Sequence, residues 1–320
     1  MASTISPQIR ILPGGEHRLL TEIGRIDPGS IASFREVGGY GGFERAVTRL
    51  APEEVILEIE GSGLRGRGGS GFPTAAKWRV ARDAPADRKI VVANLMGADP
   101  SALGDRALAE GNPHLIVEGL LIAAYAVGAS EAIVAVRREW TDAIVRLRAA
   151  AAEATDARLA GYLVLGTDTS IQLSVWEGSG AYVAGEETAL ISALSGDRGM
   201  PLIRPPYPAT SGLHEVPTVV QNAETLAHVA WILSHSSEAF ASVGSDTSRE
   251  RSSSPSWAVS TSRGSWRFRS AHRSGRSSTS PGGPPAAPRR HSPAARAAAP
   301  WPRRRSRRHT TTSRSRPPGR

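Results

Sequence analysis

The chain contains no cysteine. That excludes disulfides, Cys-ligated zinc and iron–sulfur clusters held by its own thiolates. It also lacks an apolar run long enough for a bilayer. The longest, LIVEGLLIAAYAVGA (115–129), carries Glu118 and falls short of the ~20 residues a spanning helix needs. No direct membrane insertion is expected. The opening MASTISPQIRILPGGEH has no apolar core of a signal peptide. A cytoplasmic protein, soluble or peripheral to a membrane complex, is the expectation.

Acid is missing from one end. Residues 251–320 hold 17 Arg and no Asp, Glu or Lys, and they also lack Leu, Ile, Met, Asn, Gln and Tyr. Residues 1–250 hold 22 Lys and Arg against 30 Asp and Glu, a net of −8. The overall +9 therefore averages two unlike polymers. A segment with so little apolar material cannot offset its chain entropy, so 249–320 reads as a disordered Arg/Ser/Pro/Ala-rich tail. One alternative is a basic arm that binds nucleic acid. The other is a slipped reading frame. With one preceding base and allowed codons, Arg249–Ser260 shifts to PGTKLVTLVGGL, an alternating β-like pattern with turn glycines. The slip is the favoured reading, and no nucleic-acid partner is expected.

What remains is patterned. Residues 1–29 read as an irregular arm and 30–240 as an α/β domain. SIASFREVGGYGGFERAVTRL (30–50) suggests two short helices broken at GGYGG, and Pro52-Glu53-Glu54 starts another helix well. RKIVVANL (88–95), EAIVAVR (131–137) and IQLSVWEG (171–178) read as strands. Residues 112–129, 139–159, 185–196 and 218–235 read as helices, with Asn112 as a cap and Pro113 at a first helical position. Such alternation argues a parallel sheet.

GLRGRGGSGFPTAAKW (63–78) packs glycines beside Arg65, Arg67 and Lys77. Exposed amides next to cations suit a phosphate. Gly66 to Gly71 fits GxGxxG, but a helical pattern precedes it where the dinucleotide motif needs a strand. A dedicated phosphate loop fits better than an ordinary dinucleotide turn or a plain surface loop.

Four segments, in order and spacing, resemble one family: GRIDPGSIASFREVGGYGGFERAV (24–47), GSGLRGRGGSGFPTAAKW (61–78), GSGAYVAGEETALISALSG (178–196) and RPPYPATSGLHEVPTVVQNAETL (204–226). The family is the 51-kDa flavoprotein subunit of respiratory complex I, with the diaphorase subunits of NAD-reducing hydrogenases and NAD-dependent formate dehydrogenases. The resemblance covers roughly residues 20–240. It implies a Rossmann-like FMN-binding domain that accepts hydride from NADH. Electrons then pass onward in a quinone reductase or diaphorase complex beside a 24-kDa-like iron–sulfur subunit. In the family they reach a 4Fe-4S cluster held by C-terminal cysteines, which this chain lacks. If nothing follows in another frame, an inactive remnant is a further alternative.

By resemblance, Gly66, Arg67, Gly68, Gly69, Gly71 and Lys77 lie at the FMN, and Asn94 makes polar contacts to it. Asp99-Pro100 matches the family's acid–Pro, and Asp105-Arg106 its Asp-Arg. Tyr182, Gly185, Glu186 and Glu187 match Tyr-x-Cys-Gly-Glu-Glu, with Ala184 at the cysteine and a carboxylate facing the nicotinamide ribose. Arg204 and Tyr207 replace Lys and Phe, where the cation faces the nucleotide and the aromatic stacks on adenine. Gln221 and Asn222 replace an Asn–Asn pair near the flavin ring. Met96 and Gly97 stand where respiratory members carry Asp and Glu. On the residues alone, Lys77 also reads as a surface lysine, Asn94 as a turn residue, Glu186 and Glu187 as helix-start acids and Asn222 as a helix cap. No side-chain acid or base and no metal is required, because the flavin carries the hydride chemistry.

Overall fold

The computed structural model describes residues 18–97 and 103–242. Asp99, the segment 249–320 and most of the arm lie outside them. Four parallel strands form the sheet: β1 (Ile90–Leu95), β2 (Glu131–Arg137), β3 (Gln172–Gly178) and β4 (Thr218–Asn222). Their order is β3-β2-β1-β4. That is the first half of the doubly wound arrangement, in which strand order reverses between β1 and β4.

Side chains alternate across the sheet, as the two-residue period demands. Val91, Ala93 and Leu95 of β1 enter the larger core with Val134, Val136 and Val219. Ile90, Val92 and Met96 face the other way, into a smaller core with Ala135 and Val220. The larger core is covered by α2 (Gly41–Arg49), α3 (Pro52–Ser62), α4 (Thr74–Asp83), α6 (Pro113–Val127), α7 (Thr141–Asp156) and α9 (Ala223–Ser234), and the smaller by α8 (Glu187–Leu194). Among the described residues the other α-helices are the short α1 (Ile31–Glu36), α5 (Gly104–Gly111) and α10 (Ser237–Ala241). Leu19, Leu20 and Ile26, ahead of residue 30, are buried in the larger core.

Most elements stand where the pattern placed them. The break at GGYGG separates α1 from α2, and Asn112 caps α6 through its side chain. One expectation is corrected: residues 218–235 are not one helix. Thr218–Asn222 is β4, paired in parallel with β1, and α9 starts only at Ala223. The β-branched Thr218-Val219-Val220 fills the open edge of β1. Asn222 then ends the strand and caps α9, its Oδ1 accepting from the Thr225 amide at 3.3 Å.

Two contacts bind the helical layer. On α6, Gly119 lets α9 approach so closely that an added Cβ would sit 1.9 Å from the Leu226 carbonyl oxygen. Next to it, Glu118 is buried, and its carboxylate accepts from the amides of Tyr40 at 3.0 Å and Phe43 at 3.2 Å. This caps α2, because Tyr40 at its start has φ 63° and no side-chain cap. Burial pushes the Glu118 acid up to about 7, against the opposing pull of those amides. Tyr40 also bonds His114 Nδ1 at 2.9 Å, and burial holds that imidazole down near 4.

Candidate functional site

The site is built at the C-terminal ends of β1 and β4. Asn94 and Asn222 are register partners there, at the reversal of strand order, where open α/β sheets leave a crevice for ligands. Asn94 Nδ2 donates to the Gly185 carbonyl at 3.0 Å, and its Oδ1 accepts from the Met96 amide at 3.1 Å. It thereby ties β1 to the turn Tyr182–Gly185 that precedes α8. Gln221 Nε2 lies 3.4 Å from Thr74 Oγ1, linking β4 to the start of α4.

The glycine loop leaves a helix, as the sequence indicated. Gly63 ends α3 at φ 71°. The loop is closed at its neck by Gly66 N to Phe72 O at 2.8 Å, Thr74 N to Leu64 O at 3.0 Å and Arg65 Nε to Gly71 O at 2.6 Å. Gly69 at φ 110° and Gly71 at φ 61° make the reversal, which other residues adopt only with strain. The tip, Gly68 to Ser70, is exposed. The loop rests on the β4–α9 turn: Arg67 N donates to Thr225 Oγ1 at 2.9 Å, and a methyl at Gly68 would meet Asn222 Cβ at 3.6 Å.

Charged residues from three segments meet beside it. Lys77 Nζ on α4 donates to Glu187 Oε2 at 2.7 Å and to the Val220 carbonyl at 3.1 Å. Arg204 forks across both acids, Nη1 to Glu187 at 3.0 Å and Nη2 to Glu186. Glu186 also caps α8, accepting from the Thr188 and Ala189 amides at 2.9 Å each. Burial alone would raise its acid, but the Thr188 and Ala189 bonds and the Arg204 charge outweigh it, so the carboxyl sits below its ordinary range. Tyr182 and Tyr207 project outward, 78% and 57% exposed, with ring faces open to stacking.

Met96 and Gly97 have a shared explanation. Met96 is buried in the smaller core with Ala184 and Ile191. Gly97 adopts φ 52°, and a Cβ there would lie 2.3 Å from the Trp140 ring. An acid at 97 therefore requires Trp140 to move.

The sequence reading left Arg137, Thr225 and Asp105 without a role at the site. Arg137, at the end of β2, donates to the carbonyls of Gly97 at 2.7 Å and Gly180 at 3.2 Å. Asp105 accepts from Asn222 Nδ2 at 2.7 Å and the Glu224 amide at 3.2 Å. A carboxylate or hydroxyl that works on backbone and amides a hundred residues away leaves no local spacing to find. Asp105-Arg106 had stood out only as a family dipeptide.

Residues 59–231 match the family described as the Nuo51 FMN-binding domain. The chain belongs to that family. Every candidate residue from Gly66 to Asn222 falls inside the matched span. Similar relatives of the Nuo51 FMN-binding domain include the NADP-reducing hydrogenase subunit HndC of Solidesulfovibrio fructosivorans, 42% identical over 226 residues, 71% of this chain and 46% of that protein. An NADH-quinone oxidoreductase subunit of Aquifex aeolicus is 42% identical over 215 residues, 67% of this chain and 50% of that one. A crystal structure of an NAD+-reducing [NiFe]-hydrogenase in the H2-reduced state superposes with a TM-score of 0.61 at 36% identity, covering 66% of this chain and 35% of the other. The chain thus spans about half the length of the curated relatives it matches. Among the described residues, no helix is long and apolar enough to cross a membrane.

Proposed function

We propose that this chain is the FMN-binding, NADH-oxidising module of a complex I-like or diaphorase assembly. The observation that carries the reading is the meeting of an exposed glycine loop, Lys77 and the Asn94–Asn222 pair at the reversal of strand order. Backbone amides and an ammonium fit a phosphate dianion, and the paired strand ends fit a flat polar ring. FMN bound there supplies a two-electron acceptor for hydride that can return single electrons.

In this reading Gly66, Arg67, Gly68, Gly69, Gly71 and Lys77 hold the flavin phosphate. Asn94, Gln221, Asn222 and Gly185 frame the ring, and Asp99 is assigned to the cofactor by resemblance alone. Glu187 faces the nicotinamide ribose and Glu186 supports it. Tyr207 stacks on adenine, Tyr182 walls the cleft, and Arg204 faces the nucleotide phosphates. Arg204 and Lys77 already engage the two glutamates, so an incoming phosphate exchanges partners with an existing ion pair rather than meeting a bare cation. The chain has no cysteine to hold a cluster. Electrons then pass onward within the assembly, with a 24-kDa-like iron–sulfur subunit as the expected neighbour and the cytoplasm as the expected compartment.

The test is a fluorescence titration of the full chain with FMN. Lys77→Ala is expected to weaken binding by about 1–3 kcal/mol, the worth of a charged hydrogen bond. Equal affinity of variant and wild type overturns the role of Lys77. Absence of FMN binding by the wild-type chain overturns the reading.

A further inference from the structure

Asp105 sits in the first turn of α5, outside the residues assigned above to flavin or nucleotide. Its two oxygens take two donors from one turn: Oδ2 from Asn222 Nδ2 at 2.7 Å, Oδ1 from the Glu224 amide at 3.2 Å. Asn222 Oδ1 is committed to the Thr225 amide, and Thr225 Oγ1 accepts from the Arg67 amide. A continuous line of hydrogen bonds therefore runs from Asp105 through the β4–α9 turn to the glycine loop. We propose that Asp105 is a positioning residue: its carboxylate holds that turn, and through it the glycine loop, in the geometry that receives the flavin. This rests on the FMN reading above.

The chemistry makes the hold depend on a proton. Both groups facing Asp105 are N–H donors, so only the ionised carboxylate accepts from both at full strength. Protonation turns one oxygen into a donor aimed at a donor. Asn222 cannot flip to answer it, because that would break its bond from Thr225. Several charged or titratable groups surround α5. From α9, Glu224 faces Asp105, and His228 lies 3.7 Å from Glu224. From α7, Arg146 is engaged by the Glu110 carbonyl. On α5 itself, Arg106 pairs with Glu110 at 2.6 Å, and His114 of α6 is bonded to Tyr40. Burial, then the Glu224 charge, raises the Asp105 acid to about 7. The hold therefore strengthens as pH rises through about 7 and weakens as it falls.

Full-length wild type, Asp105→Asn and Thr225→Val test this by FMN titration at pH 6, 7 and 8. Wild type is expected to bind about tenfold more tightly than Asp105→Asn at pH 8, one charged hydrogen bond's worth, and within about twofold at pH 6. Titration of the FMN phosphate is common to both proteins and cancels in the ratio. Thr225→Val, which cuts the line beyond Asp105, is expected to reproduce the Asp105→Asn profile. A ratio that is the same at every pH, or equal affinities throughout, overturns the proposal. A second measurement needs no flavin: trypsin cleavage after Arg65 or Arg67 at pH 8 is expected to be several-fold faster in both variants. Equal cleavage overturns the proposal. Faster cleavage with no FMN binding by wild type supports the hold on the loop while the FMN reading falls.

Discussion

Glu118→Ala is expected to be among the most damaging single changes in this chain, at about 2–6 kcal/mol. It strips the acceptor from the buried Tyr40 and Phe43 amides, each worth about 1–3 kcal/mol when left unpaired. Glu118→Gln keeps one of the two acceptor oxygens, sets its amide nitrogen against the other backbone donor, and removes the titrating proton. The sign follows from linkage. The acid is raised from an ordinary 4.5 to about 7 in the folded chain, so the folded state holds the proton more tightly. The stability this adds is complete below the unfolded value and is lost as pH rises through about 7. Wild type should therefore lose on the order of 3 kcal/mol between pH 4.5 and 8 relative to Glu118→Gln, which has no proton to release. Urea unfolding of both proteins across that range measures the difference. Parallel pH profiles would show that Glu118 does not titrate in its pocket.

Gly119→Val is expected to rival it. The atom nearest an added Cβ is the Leu226 carbonyl oxygen, followed by its carbon and Cα. Backbone cannot swing aside as a side-chain tip does, so α6 and α9 must separate. Overpacking of this kind costs about 1–3 kcal/mol, occasionally more. Alanine should fall within that range and valine at or above its upper end. Because α9 begins at the turn bearing Asn222 and Thr225, flavin affinity should fall together with stability. Gly41→Ala is the matched control. Nothing lies within 4 Å of its added Cβ, and a helical alanine there should be neutral or slightly stabilising. Thermal melts of the three variants suffice, and a Gly119→Val protein that melts with wild type would refute the close-packing argument.

The strands β1 and β2 were legible because Ile90 to Ala93 and Ala132 to Val136 are short β-branched runs bounded by turns. Thr218 to Asn222 was not, since a brief apolar run feeding straight into an amphipathic helix carries either period. Only the vacant edge of β1 decides between them, and that edge lies over a hundred residues upstream. The same distinction divides the site. Glycine spacing, Lys77 and the Glu186–Glu187 pair can be read locally, because their chemistry is concentrated in short segments. Asn222 could be read as a cap, but its second use, as donor to Asp105, needs two segments in space. So does the fit of Trp140 over Gly97, where one large ring answers one missing side chain.

The placement of β4 has a consequence for biosynthesis. It lies against β1 although it emerges about 120 residues later, which at 5–20 residues per second is roughly 6–24 s of translation. Throughout that interval a nascent chain presents the unpaired edge of an apolar strand, a template for pairing with any neighbour. The ends of β1 and β4 cannot meet until Asn222 and Thr225 have cleared the ribosome, so any flavin held between them is captured only after that point. Polypeptides stalled before β4 are therefore candidates for chaperone binding and degradation rather than for cofactor loading.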